Sequence, residues 1–180
     1  MMNIFEIRTE RDRLKKMALA GMFAAVAVLL SGFSFPVGPS RCFPFQHAMN
    51  VICGVILGPW WAVASAFVAS AIRNLLGTGT VLAFPGSMFG ALAVGLTADM
   101  LPRGHRLFAA AAEPFATSLV GAWVSSLIIM ATAGKGAMFS MLSVAFLASS
   151  APGAVIGLLA LSSLSLAVKR GEAKAANGER

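Results

Sequence analysis

The sequence predicts an all-α integral membrane protein with six transmembrane helices, and three observations carry that reading. The 180 residues are 58% hydrophobic and only 12% charged, with a mean hydropathy of +0.81. A soluble domain carries about 25% charged residues, and a chain of this size cannot hide so much apolar surface in one globule. Six apolar runs are separated by clusters of Gly, Pro and charged residues, and the basic residues collect at the ends of these runs. A soluble enzyme, a disordered tail and a nucleic-acid binder are thereby excluded. The net charge of +7 reads as an orientation signal on membrane flanks.

A helix needs about 20 apolar residues to cross the hydrocarbon core. The first run, Leu14 to Phe35, meets this length. Basic residues precede it, but it is too long for a signal peptide and no small-residue cleavage site follows, so a retained span is expected. Pro36, Pro39 and Pro44 then forbid a continuous helix across Pro36–Pro44. The second run, Phe45 to Leu57, is short for a span and stops at Gly58-Pro59. The third runs from Trp60-Trp61 to Leu76 and ends in Gly77-Thr78-Gly79-Thr80. The fourth covers Val81 to Leu101, ahead of Pro102-Arg103-Gly104-His105-Arg106. The fifth covers Leu107 to Ala133, and the sixth runs from about Ala137 to Val168 with Pro152 inside it.

Six spans put both termini on one side, and placing that side in the cytoplasm assigns eleven of the fourteen Lys and Arg residues to it. Only Arg41, Arg73 and Lys135 remain outside. The expected organisation is a cytoplasmic segment over 1–13, a transmembrane domain over 14–168 and a disordered basic cytoplasmic tail over 169–180. Trp60 and Trp61 then fall at the inner interface, where an indole satisfies both its apolar body and its N–H.

Polar side chains inside a membrane are costly and therefore informative. Arg41, Gln46, His47, Asn50, Arg73, Asn74, Thr78 and Thr80 gather from two neighbouring outer connections, with Phe33, Phe35, Phe43, Phe45 and Phe84 around them. Flat aromatic walls with a few convergent hydrogen-bonding groups suit a small heteroaromatic ligand. Each residue also has a plain structural reading: Arg73 can snorkel to headgroups, and Asn74 can close the third helix. Glu113 is expected near the inner face, too far from His47 to pair with it. Small residues four apart occur at Ala20/Ala24, Gly21/Ala25, Gly86/Gly90 and Gly153/Gly157, a spacing that lets helices approach closely in lipid.

Cys42 and Cys53 form no CxxC pair, the two histidines lie in different segments, and no metal site, cofactor or catalytic residue is expected. The chain has no phosphate-binding G-x-x-x-x-G-K-[ST], no G-x-S-x-G and no H-E-x-x-H. An enzyme is not indicated. A transporter of this composition runs on a gradient or borrows energy from partners.

Six hydrophobic helices with small residues on the first resemble the substrate-binding (S) components of energy-coupling factor vitamin transporters. More narrowly, Phe35-Pro-Val-Gly-Pro-Ser-Arg-Cys-Phe-Pro-Phe-Gln-His47, Leu57-Gly-Pro-Trp60, Arg73-Asn-Leu-Leu-Gly-Thr-Gly-Thr80 and Ala83-Phe-Pro-Gly-Ser87 are similar to the ThiW group. The resemblance implies a prokaryotic plasma-membrane receptor for a thiamine-precursor thiazole, hydroxyethylthiazole or its phosphate, with no enzymatic activity of its own. It implies a pocket near the outer face under the Pro36–Pro44 loop. It also implies docking of the first helix onto a transmembrane coupling subunit driven by two ATPases. Ala20 and Ala24 match the docking motif, with Gly21 and Ala25 the alternative register. Arg41 and Arg73 together suit a phosphate ester or carboxylate better than a neutral alcohol. The rival expectation is a stand-alone gradient-driven carrier using Glu113 as proton relay.

Overall fold

The computed structural model describes residues 12–37, 40–134 and 138–176. Helix α1 (Arg13–Leu29) starts at Asp12, whose carboxylate accepts the Leu14 and Lys15 backbone N–H groups at 3.0 and 3.2 Å. A 3-10 turn, Leu30–Gly32, ends it. The chain then forms an antiparallel hairpin, β1 (Phe35–Val37) with β2 (Ser40–Cys42), which pairs Phe35 with Cys42 and Pro36 with Arg41. Pro36 is tolerated because a two-stranded ribbon consists of edges alone. The stretch expected as an irregular loop is thus a short hairpin; its tip at 38–39 lies outside the described residues, as does Lys135.

Helices α2 (Pro44–Leu57), α3 (Pro59–Leu75) and α4 (Ala83–Met100) follow within about two residues of their expected bounds. Pro44 and Pro59 each open a helix, where a missing N–H costs nothing. The fifth segment is composite: a 3-10 helix over Arg103–Ala111, α5 (Ala112–Phe115), a π-helical turn over Ala116–Gly121 and α6 (Ala122–Ala133). Helix α7 (Phe139–Ala176) passes through Pro152. It also continues past Lys169 and Arg170, so residues 169–176 extend a helix where a disordered tail was expected.

Three segments, Arg13–Gly32, Arg103–Ala133 and Phe139–Ala175, are long and apolar enough to cross a membrane, and α2 is a shorter apolar helix. The distribution of side chains is that of a membrane bundle. Leu29, Trp60, Phe67, Leu75, Phe115, Trp123 and Leu159 are exposed, whereas the interior is built from alanines with Ser65, Ser70, Ser87, Ser125 and Ser150. Lipid accepts the large apolar exterior, and small residues let the helices close on one another.

Helix α2 is the centre of the bundle, packed by α1, α3, α4 and α7. Gly153 and Gly157 let α7 lie directly on it: a Cβ at Gly153 would strike the Pro44 carbonyl and His47, and one at Gly157 would strike Val51. On α1, Ala20 and Ala24 are buried inside the bundle, Ala24 beside Ala69. The row matched to docking is therefore used internally, and Gly21 and Ala25 face outward.

The helices alternate in direction, so the hairpin, the 76–82 connection and Met138 meet at one end of the bundle. The opposite end holds the Gly58-Pro59 turn, Trp60 and the basic residues Arg13, Lys15, Lys16, Arg103, Lys169 and Arg170.

Candidate functional site

The loop end of the bundle holds two cavities in series. The outer one is about 890 Å³ and is bounded by Ser31, Gly32, the hairpin, Gly77–Thr80 and the start of α7. Beneath it lies a pit of about 70 Å³ lined by Phe43, Gln46, His47, Arg73, Ser87, Phe146 and Ser149, among others. Arg41, Phe43, Thr80, Leu82 and Ala145 line both and form the rim between them. The outer volume is that of a small-molecule site; the pit has room for a few heavy atoms.

The hairpin is fastened over the pit by α7. Ser149 Oγ accepts the Phe43 backbone N–H at 2.8 Å, and the Cys42 thiol meets the Ala145 carbonyl at 3.5 Å. This orients Phe43, whose ring carries the Arg73 guanidinium at 3.8 Å from its centroid. Arg73 is 1% exposed, so it does not snorkel; it folds inward and donates from Nη2 to the Thr78 carbonyl at 3.3 Å. Its Nε has no partner among the described residues. A buried guanidinium held by a π face and one carbonyl retains donor capacity for a ligand.

Gln46 donates to Ser70 Oγ at 3.2 Å, and Ser70 donates to the Ala83 carbonyl at 3.3 Å, which ties α2, α3 and α4 together beside the pit. His47 Nδ1 lies 2.6 Å from Glu113 Oε1. The same oxygen accepts from Asn50 Nδ2 at 3.0 Å and from the Thr117 hydroxyl at 3.4 Å. Asn50 also donates to the Ser87 carbonyl at 3.1 Å. Glu113 is fully buried, and its Oε2 has no partner among the described residues.

This overturns the expected separation of Glu113 from His47, for two reasons. A 3-10 helix rises about 2.0 Å per residue against about 1.5 Å for an α-helix, so Arg103–Ala111 carries Glu113 roughly 4 Å deeper than an α-helical span would. Helix α2, at 14 residues, is about 21 Å long and falls short of a full span, so its first turn, with His47, need not reach the level at which longer helices end. The π turn after Glu113 brings Thr117 onto the carboxylate, and Gly90 of α4 makes room for both side chains.

Of the residues read from the sequence, Arg41, Phe43, Gln46, His47, Arg73 and Thr80 line the pit, and Thr78 lines the outer cavity. Asn50 stands behind His47 as a supporting group. Asn74 lines neither cavity; its amide donates to the Ser70 and Thr80 carbonyls at 2.8 and 3.0 Å and closes the α3–α4 connection. Phe84 packs against Phe67 with ring centroids 5.4 Å apart and lines neither cavity, because Ala83 and Gly86 are the α4 residues turned toward the pit. Reading the sequence missed Ser87, Phe146 and Ser149. A hydroxyl or ring within an apolar run looks like ordinary helix packing and carries no signal of its own.

No solved structure and no curated protein matches the chain. Residues 17–167, which include both cavities and the carboxylate behind them, match the family model described as thiamine-precursor transporter protein (ThiW). With a match over most of its length and a membrane bundle that closes around a polar pit, the chain belongs to the ThiW family of thiamine-precursor transporters.

Proposed function

We propose that this protein is the substrate-binding S component of an energy-coupling factor importer in a prokaryotic plasma membrane. It captures a thiamine-precursor thiazole, hydroxyethylthiazole or its phosphate, at the outer face. The observation that carries the reading is the two-stage cavity at the loop end: a wide mouth over a buried pit containing Gln46, His47 and Arg73. A thiazole offers a π face to Phe43, a ring nitrogen to a hydroxyl donor such as Thr80, and a hydroxyethyl arm to the remaining polar groups. The basic residues at the other end orient that end to the cytoplasm. Gly21 and Ala25, open toward lipid, are the row for docking onto a transmembrane coupling subunit, with two ATPases supplying energy.

Thermal unfolding of the detergent-solubilised protein tests the reading with hydroxyethylthiazole, its phosphate, thiamine and the pyrimidine precursor. A ligand at 100 times its dissociation constant adds about 2.7 kcal/mol of stability. Stabilisation by a thiazole and not by the pyrimidine is expected; no stabilisation by any of the four rejects the substrate.

One observation favours the second reading, a gradient-driven carrier: Glu113 and His47 form a buried, hydrogen-bonded pair able to hold a transported proton. Uptake in cells lacking any coupling subunit, abolished by Glu113→Gln, would establish that reading in place of the first.

A further inference from the structure

The carboxylate behind His47 determines what the floor of the pit can accept. Glu113 Oε1 receives the Asn50 amide N–H and the Thr117 hydroxyl, so it already acts as an acceptor where it meets His47 Nδ1 at 2.6 Å. The tautomer that fits an oxygen already accepting from two donors is the one with its proton on Nδ1. In the neutral imidazole the other nitrogen, Nε2, then holds a lone pair. His47 lines the same pit as Arg73, whose Nε is an unused donor on a side chain 1% exposed.

One donor and one acceptor in a small pit match an alcohol. The hydroxyl oxygen accepts from Arg73 and its proton goes to His47. A phosphate ester dianion brings acceptors only, so at His47 it meets a lone pair, with a buried carboxylate directly behind the ring. Both arginines that favour an oxyanion in the sequence border the pit, but from different places. Arg41 is exposed at the rim, and Arg73 is already engaged by Phe43 and Thr78.

We infer that Glu113 is a positioning residue that holds His47 in its Nδ1–H form, and that the pit thereby selects a ligand's free hydroxyl over its phosphate ester. The ligand half of this inference rests on the proposed thiazole receptor; the histidine half does not. Gly90, which leaves space for the carboxylate, and Asn50, which orients it, belong to the same device.

The chain's two histidines make the test direct. His105 is exposed and stacks on Phe108 in the 3-10 segment, so His105→Asn removes the only other imidazole without touching the pit. Nitrogen-15 spectra of the histidine-labelled full chain in detergent would read the protonation of each His47 ring nitrogen. Calorimetry would give affinities for hydroxyethylthiazole, its phosphate and the analogue with an ethyl arm lacking the hydroxyl.

The expected spectrum shows Nδ1 protonated and Nε2 bare. The alcohol is expected to bind about ten-fold or more tightly than either the ethyl analogue or the phosphate. Glu113→Gln, whose amide can present oxygen or NH₂ to the ring, should mix the tautomers and bring the alcohol down to the affinity of the ethyl analogue. A proton on Nε2, in either the other tautomer or the imidazolium, overturns the inference, as does tighter binding of the phosphate. The unsubstituted Glu113 spectrum decides the histidine half even if Glu113→Gln fails to fold. A fixed Nδ1–H ring in a chain that binds none of the three compounds supports the role of Glu113 and rejects the thiazole receptor.

Discussion

Arg73 and Gly90 show how much single positions carry in a bundle with so little polar material. Arg73 uses its planar fork twice, stacking on Phe43 and donating to the Thr78 carbonyl. A lysine keeps the charge but not the plane. Arg73→Lys is therefore expected to weaken thiazole binding by about ten-fold or more in calorimetry, with the fold retained; unchanged affinity would make Arg73 a packing residue alone. At Gly90 a Cβ would overlap Glu113 Oε2 and Thr117 Oγ1. Gly90→Ala should cost about 1–3 kcal/mol in thermal unfolding, the range for overpacking a filled interior. Gly21→Ala, which meets open space within α1, should instead raise stability by roughly 0.5–1 kcal/mol. Both glycines sit in small-xxx-small pairs, and no pattern of spacing distinguishes the packed one from the open one.

At the scale of elements, α1 and the hairpin have separable jobs. Ala20→Leu or Ala24→Leu should destabilise the protein itself, because both positions are filled by neighbouring helices. Gly21→Leu or Ala25→Leu should preserve thiazole binding in detergent yet abolish uptake in cells that supply a coupling module. Wild-type uptake by Gly21→Leu would remove that face from consideration as the docking surface. The hairpin is tied to α7 through Ser149, so Ser149→Ala gives up a hydrogen bond worth about 1 kcal/mol. Stopped-flow should then show ligand leaving several-fold faster, since the hairpin roofs the pit. The helices themselves were legible because length, apolar runs and Gly-Pro stops determine them. The hairpin was not, since Pro36, Pro39 and Pro44 announce a break in helix without saying what replaces it. The 3-10 and π geometry of the fifth span was equally hidden, because its residues would suit an ordinary α-helix.

For the molecule as a whole, large apolar side chains face outward and alanines, serines and the polar pit face inward, so the bilayer serves as the solvent. The bundle has a polar, cavity-bearing end and a basic end. Reconstituted alone in vesicles, the protein is expected to bind a thiazole without accumulating it under an imposed proton gradient. Accumulation should appear with the coupling subunit, its ATPases and ATP. Gradient-driven accumulation by the chain alone would transfer the mechanism to Glu113 and His47.

By itself the sequence determined the membrane setting, six helical segments, the orientation that their flanking charges favour, and six of the residues that line the pit. These follow from composition, periodicity and local breaks, which are properties of neighbouring residues. The meeting of Glu113 with His47 was decided by tertiary structure alone, as were the burial of Ala20 and Ala24 and the exclusion of Asn74 and Phe84 from the cavities. Each depends on the rise of one helix against the length of another, or on which face a neighbour covers. Such relations join residues as far apart as 47 and 113 through packing, and spacing along the chain does not encode them.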